Sequence, residues 1–167
     1  LAPLRGATLE RLSLEELIDK STAIVRGRVA GSYAALRGNV IYTHYRVQIS
    51  QRWKGPQGAA VEVMVPGGVA GGMRQSYSGV PRLVEGKEYV LFLWAGSSGN
   101  TQIIGYTQGV FELPKKTSGA AIAYRAASSE MMIDSSSGQA VASEPLELTL
   151  KSLTDRITAR LTKETAR

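Results

Sequence analysis

Apolar and polar residues alternate with a period of two along much of this chain. Over residues 23–33 the odd positions are Ala23, Val25, Gly27, Val29, Gly31 and Tyr33, while the even ones include Arg26 and Arg28. Over residues 40–51 the odd positions are Ile41, Thr43, Tyr45, Val47 and Ile49, set against Tyr42, His44, Arg46, Gln48 and Ser50. Side chains of a strand point alternately to its two faces, so this pattern predicts two half-buried antiparallel strands with their odd residues on the core side. Parity then constrains the connection. A plain two-residue turn at Gly38-Asn39 would place Arg28 on the same face as Ile49, so the pattern requires an odd-numbered loop, such as 37–39, or a bulge.

Val61, Val63 and Val65 alternate with Glu62 and Met64 and predict a third strand. The run from Tyr89 to Trp94 is apolar without interruption, as in a strand covered on both faces. Residues 102–106 and 109–113 predict further strands, and 120–125 and 131–133 give weaker strand patterns among serine- and glycine-rich turns. Helical spacing occurs near both ends. Ser13 followed by Glu16 forms a capping box ahead of Leu14, Leu17 and Ile18. Thr149 caps a stripe of Leu150, Leu153, Ile157 and Leu161, giving a helix over 149–163. Many short strands between terminal helices imply a mainly β fold, a small antiparallel barrel, rather than alternating βαβ units.

The 167 residues suit one domain over 1–167. Within it, 1–8 reads as a flexible tail, 9–113 as the barrel and 114–142 as an additional hairpin or irregular segment. Cysteine is absent, which excludes disulfides, thiolate metal sites and cysteine nucleophiles. A single histidine, His44, excludes a histidine-rich metal centre. Residues 96–99 read Gly-Ser-Ser-Gly, not the Gly-x-Ser-x-Gly of a nucleophile elbow. Gly67-Gly68-Val69-Ala70-Gly71-Gly72 does not match a dinucleotide fingerprint, and no phosphate-binding loop is present. The carboxylates fall at turns and on helices, where they serve as caps and solubilising groups. We therefore expect no catalytic residue, cofactor or metal.

Two features remain as binding candidates. One is the long glycine-rich loop 66–80, with Gly67, Gly68, Gly71, Gly72, Met73, Arg74, Gln75 and Tyr77. Met, Tyr and Arg are favoured at protein interfaces, and long loops are often functional. The other is the outer face of the first two strands, with Arg26, Arg28, His44 and Arg46 beside Tyr42. Basic residues interleaved with an aromatic suit nucleic acid or an acidic glycan, and the net charge of +6 agrees in sign.

Several strings also resemble known sequences: Ala23-Ile24-Val25-Arg26-Gly27-Arg28-Val29, Ile41-Tyr42-Thr43, Trp53-Lys54-Gly55, Val65-Pro66-Gly67-Gly68 and Gly86-Lys87-Glu88-Tyr89-Val90-Leu91-Phe92-Leu93. In their order they resemble a group of uncharacterised secreted bacterial proteins. More distantly they resemble the netrin-like domain of tissue inhibitors of metalloproteinases, an OB-type barrel. The likeness spans about residues 9–113, plus the terminal helix for the bacterial group. It implies an OB-like barrel alone; the function we expect, a non-enzymatic, extracytoplasmic binding module for a protein partner, a protease being one such partner, rests on the loop 66–80. Netrin-like inhibitors chelate the protease zinc through an N-terminal cysteine and carry disulfides. This chain has neither, so no inhibitory residue carries over. The first residue is Leu1 rather than Met, and we expect a removed signal segment and a secreted or periplasmic protein. No apolar run approaches the ~20 residues of a membrane-spanning helix.

Overall fold

The Ser13 capping box forms as its spacing requires. The Ser13 hydroxyl accepts from the Glu16 amide at 3.1 Å, and the Glu16 carboxylate accepts from the Ser13 amide at 2.7 Å. The helix it starts, α1 (Leu14–Lys20), buries Leu14, Leu17 and Ile18. These details come from a computed structural model that describes residues 8–116 and 118–167. The tail expected at residues 1–8 lies outside the described residues except for Thr8, which opens a strand, β1 (Thr8–Glu10).

After α1 the chain forms two long strands, β2 (Ala23–Arg37) and β3 (Val40–Lys54), joined through Gly38 and Asn39. Arg37 pairs with Val40, so the turn has two residues and the parity conflict is solved by a bulge. The register slips between Val29 and Gly31, leaving Ala30 without a partner. That extra residue corrects one expectation. Odd residues of β2 face the core up to Val29, but beyond the bulge the faces exchange and Tyr33 is 55% exposed. On β3 the odd residues Ile41, Tyr45 and Val47 are buried as expected.

β4 (Ala60–Pro66) pairs with β3, and β7 (Glu88–Ala95) pairs with the first half of β2. β8 (Thr101–Ile103) and β9 (Val110–Leu113) both pair with β7, and a short 3-10 turn at Tyr106–Gly109 connects them. β10 (Ile122–Arg125) and β13 (Leu146–Thr149) extend the sheet, giving the order β13-β10-β9-β7-β2-β3-β4. All of its pairings are antiparallel. β4 comes back alongside β8, yet the two share no ladder. The sheet thus curls on itself, and among the described residues its hydrogen-bonded path does not close. A small second sheet joins β1 to β11 (Met131–Ile133) in parallel, and β11 to β12 (Ala140–Val141). The chain is mainly β, with two α-helices among the described residues.

β7 separates two apolar clusters. Val90 and Phe92 face one side, with Ile24, Phe111 and Ala123 and with α1 and the closing helix α2 (Leu150–Thr165), which contributes Leu153 and Ile157. Tyr89, Leu91 and Leu93 face the inside of the curl, with Val25, Val29, Tyr45, Val47, Val63 and Val65. Burial on both faces therefore explains its apolar run from Tyr89 to Leu93, whereas Trp94, expected to be covered too, is 49% exposed. Each such fully buried aliphatic or phenyl side chain contributes about 1.5–3 kcal/mol. The helices are tied together by Arg156 to Glu15 at 2.7 Å and by Arg160 to Asp19. Among the described residues no helix is long and apolar enough to cross a membrane.

Candidate functional site

The glycine-rich segment is not an open loop. Gly71 and Gly72 have φ of 57° and 75°, the positive values at both central positions that a two-residue type I′ turn demands. They close a small hairpin of β5 (Gly68–Ala70) and β6 (Met73–Gln75). The hairpin is pinned to the tip of β2–β3. The Gln75 side-chain oxygen accepts from the Ile41 amide at 2.6 Å, and its side-chain nitrogen donates to the Asn39 carbonyl at 2.9 Å. The Gly67 amide donates to the Ile41 carbonyl at 2.7 Å, and the Thr43 hydroxyl donates to the Gly67 carbonyl at 2.7 Å. Further along, the Ser78 hydroxyl bonds the buried carboxylate of Glu130. Gly79 lies so close to that side chain that a Cβ would meet the Glu130 Cγ at 2.3 Å.

This scaffold holds a cavity of about 120 Å³ between the hairpin, residues 76–82 and the ends of β3 and β4. Gly67, Gly68, Arg74 and Tyr77 line it, with Tyr45 and Arg82. Gly71, Gly72 and Met73 do not; they form the exposed rim of the hairpin. Neither Arg74 nor Arg82 has an ion-pair partner among the described residues. Large apolar side chains stand exposed around the same end: Leu36 at 51%, Val69 at 53%, Met73 at 47% and Tyr77 at 45%. Sequence alone does not single out Arg82, Leu36 or Val69. Leu36 pairs with the buried Ile41 close to the hairpin turn, yet is itself half exposed, which no local pattern reveals.

The second candidate, the basic strand face, is divided. Arg26 donates from Nε to Glu88 Oε1 at 2.8 Å, and Arg28 Nη2 lies 3.4 Å from Glu88 Oε2. Arg28 also donates to the Gly86 carbonyl at 2.5 Å. His44 Nδ1 sits 2.9 Å from Glu62 Oε1, and its ring stacks on Tyr33 with centroids 4.7 Å apart and planes 1° from parallel. Partial desolvation, then the Glu62 charge, push the Tyr33 phenol above its ordinary value. Arg46 stands opposite Glu62 in the ladder. Arg26 and Arg28 also line a groove of about 660 Å³ with Lys87 and Lys115, but Glu85, Glu88 and Glu112 line it too. Lys87 is taken by Glu112 at 2.8 Å, which pushes the Lys87 ammonium up.

Among the described residues no three His, Asp or Glu side chains gather in a way that would hold a metal ion. The chain matches no protein-family model, no curated protein and no solved structure.

Proposed function

We propose that this chain is a non-enzymatic, extracytoplasmic binding module for a protein partner, with the curled sheet acting as an OB-like barrel scaffold. The contact surface is the pinned hairpin end: the rim at Met73, the arginines Arg74 and Arg82, and the apolar side chains Leu36, Val69 and Tyr77. The observation that carries this reading is the rigidity of an exposed apolar surface. Gln75 and Gly67 fix the hairpin to β3 and its turn through four hydrogen bonds. Holding apolar, tyrosine and arginine groups in place before association reduces the entropy lost on binding. Two arginines with no carboxylate partner among the described residues favour a partner surface that combines acidic and apolar groups. A protease is one such partner.

The test is retention of partner from source-cell extract on the immobilised chain at low and high salt. A discrete protein held at high salt by the wild type, and lost by Met73→Ala with Arg74→Ala at an unchanged Tm, is the expected result. Equal retention by the double variant overturns the site. The alternative is a polyanion-binding surface at Arg26, Arg28, His44 and Arg46. It predicts retention of nucleic acid or acidic glycan that falls steeply with salt through counterion release. The Glu88 carboxylate that already pairs with both Arg26 and Arg28 counts against it.

A further inference from the structure

A third cavity, of about 470 Å³, lies between the 3-10 turn, the end of β10 and residues 141–146. That size falls within the ~300–1,000 Å³ of small-molecule sites. Arg125 lines it. The register of β10 puts Arg125 on the same face as Ala123, and its guanidinium lies 5.4 Å from the Phe111 ring centroid. Burial pushes its pKa down from the usual value, although an arginine remains charged at any ordinary pH. Yet Arg125 has no ion-pair partner among the described residues. Its one hydrogen bond among them is a long one, 3.5 Å to the Gln108 carbonyl.

Three further residues of the wall bear on this. The hydroxyl of Thr107, on the same wall, is buried with no hydrogen-bond partner among the described residues. Arg11 also lines the cavity, but Asp134 takes its charge at 3.0 Å. Glu144 is on the wall too, and it makes no ion pair with any described residue. The remaining wall is largely apolar, with Met132, Val141, Pro145 and Leu146. A partly buried guanidinium lining this cavity, and a buried hydroxyl on a residue of the same wall, represent unmet hydrogen-bonding capacity among the described residues, and buried groups of this kind are normally satisfied.

We infer that this cavity binds a small organic carboxylate with an apolar body, its carboxylate on the free fork of Arg125 and on Thr107 and its body against Met132, Val141 and Leu146. A planar guanidinium presents paired donors that match a carboxylate's two oxygens, which is why carboxylate is favoured over a simple point anion.

Calorimetric titration of the full chain with hexanoate tests this, with hexanamide and inorganic phosphate as comparisons. The expected result is saturable one-to-one hexanoate binding. Arg125→Met should weaken it at least tenfold, Thr107→Val by a smaller factor, and hexanamide and phosphate should bind at least tenfold more weakly. Absence of saturable hexanoate binding overturns the proposal. So does equal affinity of Arg125→Met, or of hexanamide, since the site would then be merely apolar. Phosphate binding as tight as hexanoate overturns the ligand class. Should Arg125→Met fail to fold by circular dichroism, amide shifts of the wild type decide. Hexanoate must then perturb Ala126, Val141 and Leu146, and shifts confined to other residues refute the site.

Discussion

Arg26 and Arg125 are both arginines on strands of one sheet, and both are partly covered. Arg26 meets Glu88 across the β2–β7 ladder, while Arg125 lies against Phe111 and meets no carboxylate among the described residues. The chain can supply a counter-charge where an arginine only has to be held in place. It supplies one to Arg26, to Arg28 through the same Glu88, and to Arg11 through Asp134. A missing counter-charge is therefore more informative than a positive charge. It directs attention to Arg125, and on the hairpin end to Arg74 and Arg82, rather than to the most basic stretch of sequence.

The strongest way to break this comparison is to remove the counter-charge from Arg26. Glu88→Gln leaves two guanidiniums, one of them two-thirds covered, without their anion. We expect a loss of about 1–2 kcal/mol, reduced by the solvent that reaches Arg28. For a chain of this length that lowers Tm by roughly 2–8 °C in a thermal melt. An unchanged Tm would show that Glu88 stabilises neither arginine. The complementary change, Arg125→Met, should act weakly and in the other direction. Relief of desolvation is offset by the lost cation–π contact, so we expect between no change and about 1 kcal/mol of added stability. A loss above about 2 kcal/mol would mean that Arg125 is a structural residue with satisfied partners, and the contrast with Arg26 would disappear.

Arg11 is the intermediate case, and acid separates it from both. Hydrogen bonds from the Ser136 hydroxyl and from the Ser137 backbone and hydroxyl lower the Asp134 carboxyl to about 2 from an ordinary 3.8. A carboxyl depressed on folding adds stability that is complete above its unfolded value and fades as pH falls through its folded one. The β11–β12 turn should therefore lose support between about pH 4 and pH 2, and Arg11 should lose its partner. The group is only partly covered and close to solvent, so the effect is the smallest of the set. Comparing acid titrations of the wild type and Asp134→Ala, followed by amide shifts in residues 131–141, checks it. Identical profiles would remove Asp134 from the account.

What can be read from sequence is what depends on near neighbours. Ser13 and Glu16 are three residues apart, and the burial of β7 is written in consecutive apolar residues. The mainly β character follows from alternation. Strand parity demands a bulge or an odd-numbered loop, but it does not place the bulge at Ala30, because any of several residues could have been the extra one. Residues 66–80 read as a loop because their strands are only three residues each, too short for a period to register. The anchoring role of Gln75 depends on Asn39 and Ile41, thirty-odd residues earlier. Glu88 is 62 residues from Arg26, so the sequence presents a basic face where the fold presents ion pairs. The Arg125 cavity leaves no local trace, since β10 is a short strand among turns.

The parallel pairing of β1 with β11 sets an order of events during synthesis. Arg11, just after β1, and its partner Asp134, just after β11, are 123 residues apart. At about 5–20 residues per second, the ribosome takes roughly 6–25 s to cover that distance. Throughout that interval Thr8–Glu10 has no strand to join. The β2–β3 hairpin, by contrast, is complete as soon as Lys54 has emerged. The nascent chain thus acquires its longest ladder early and the strand Thr8–Glu10 late, and the second sheet closes only after Val141 has been made.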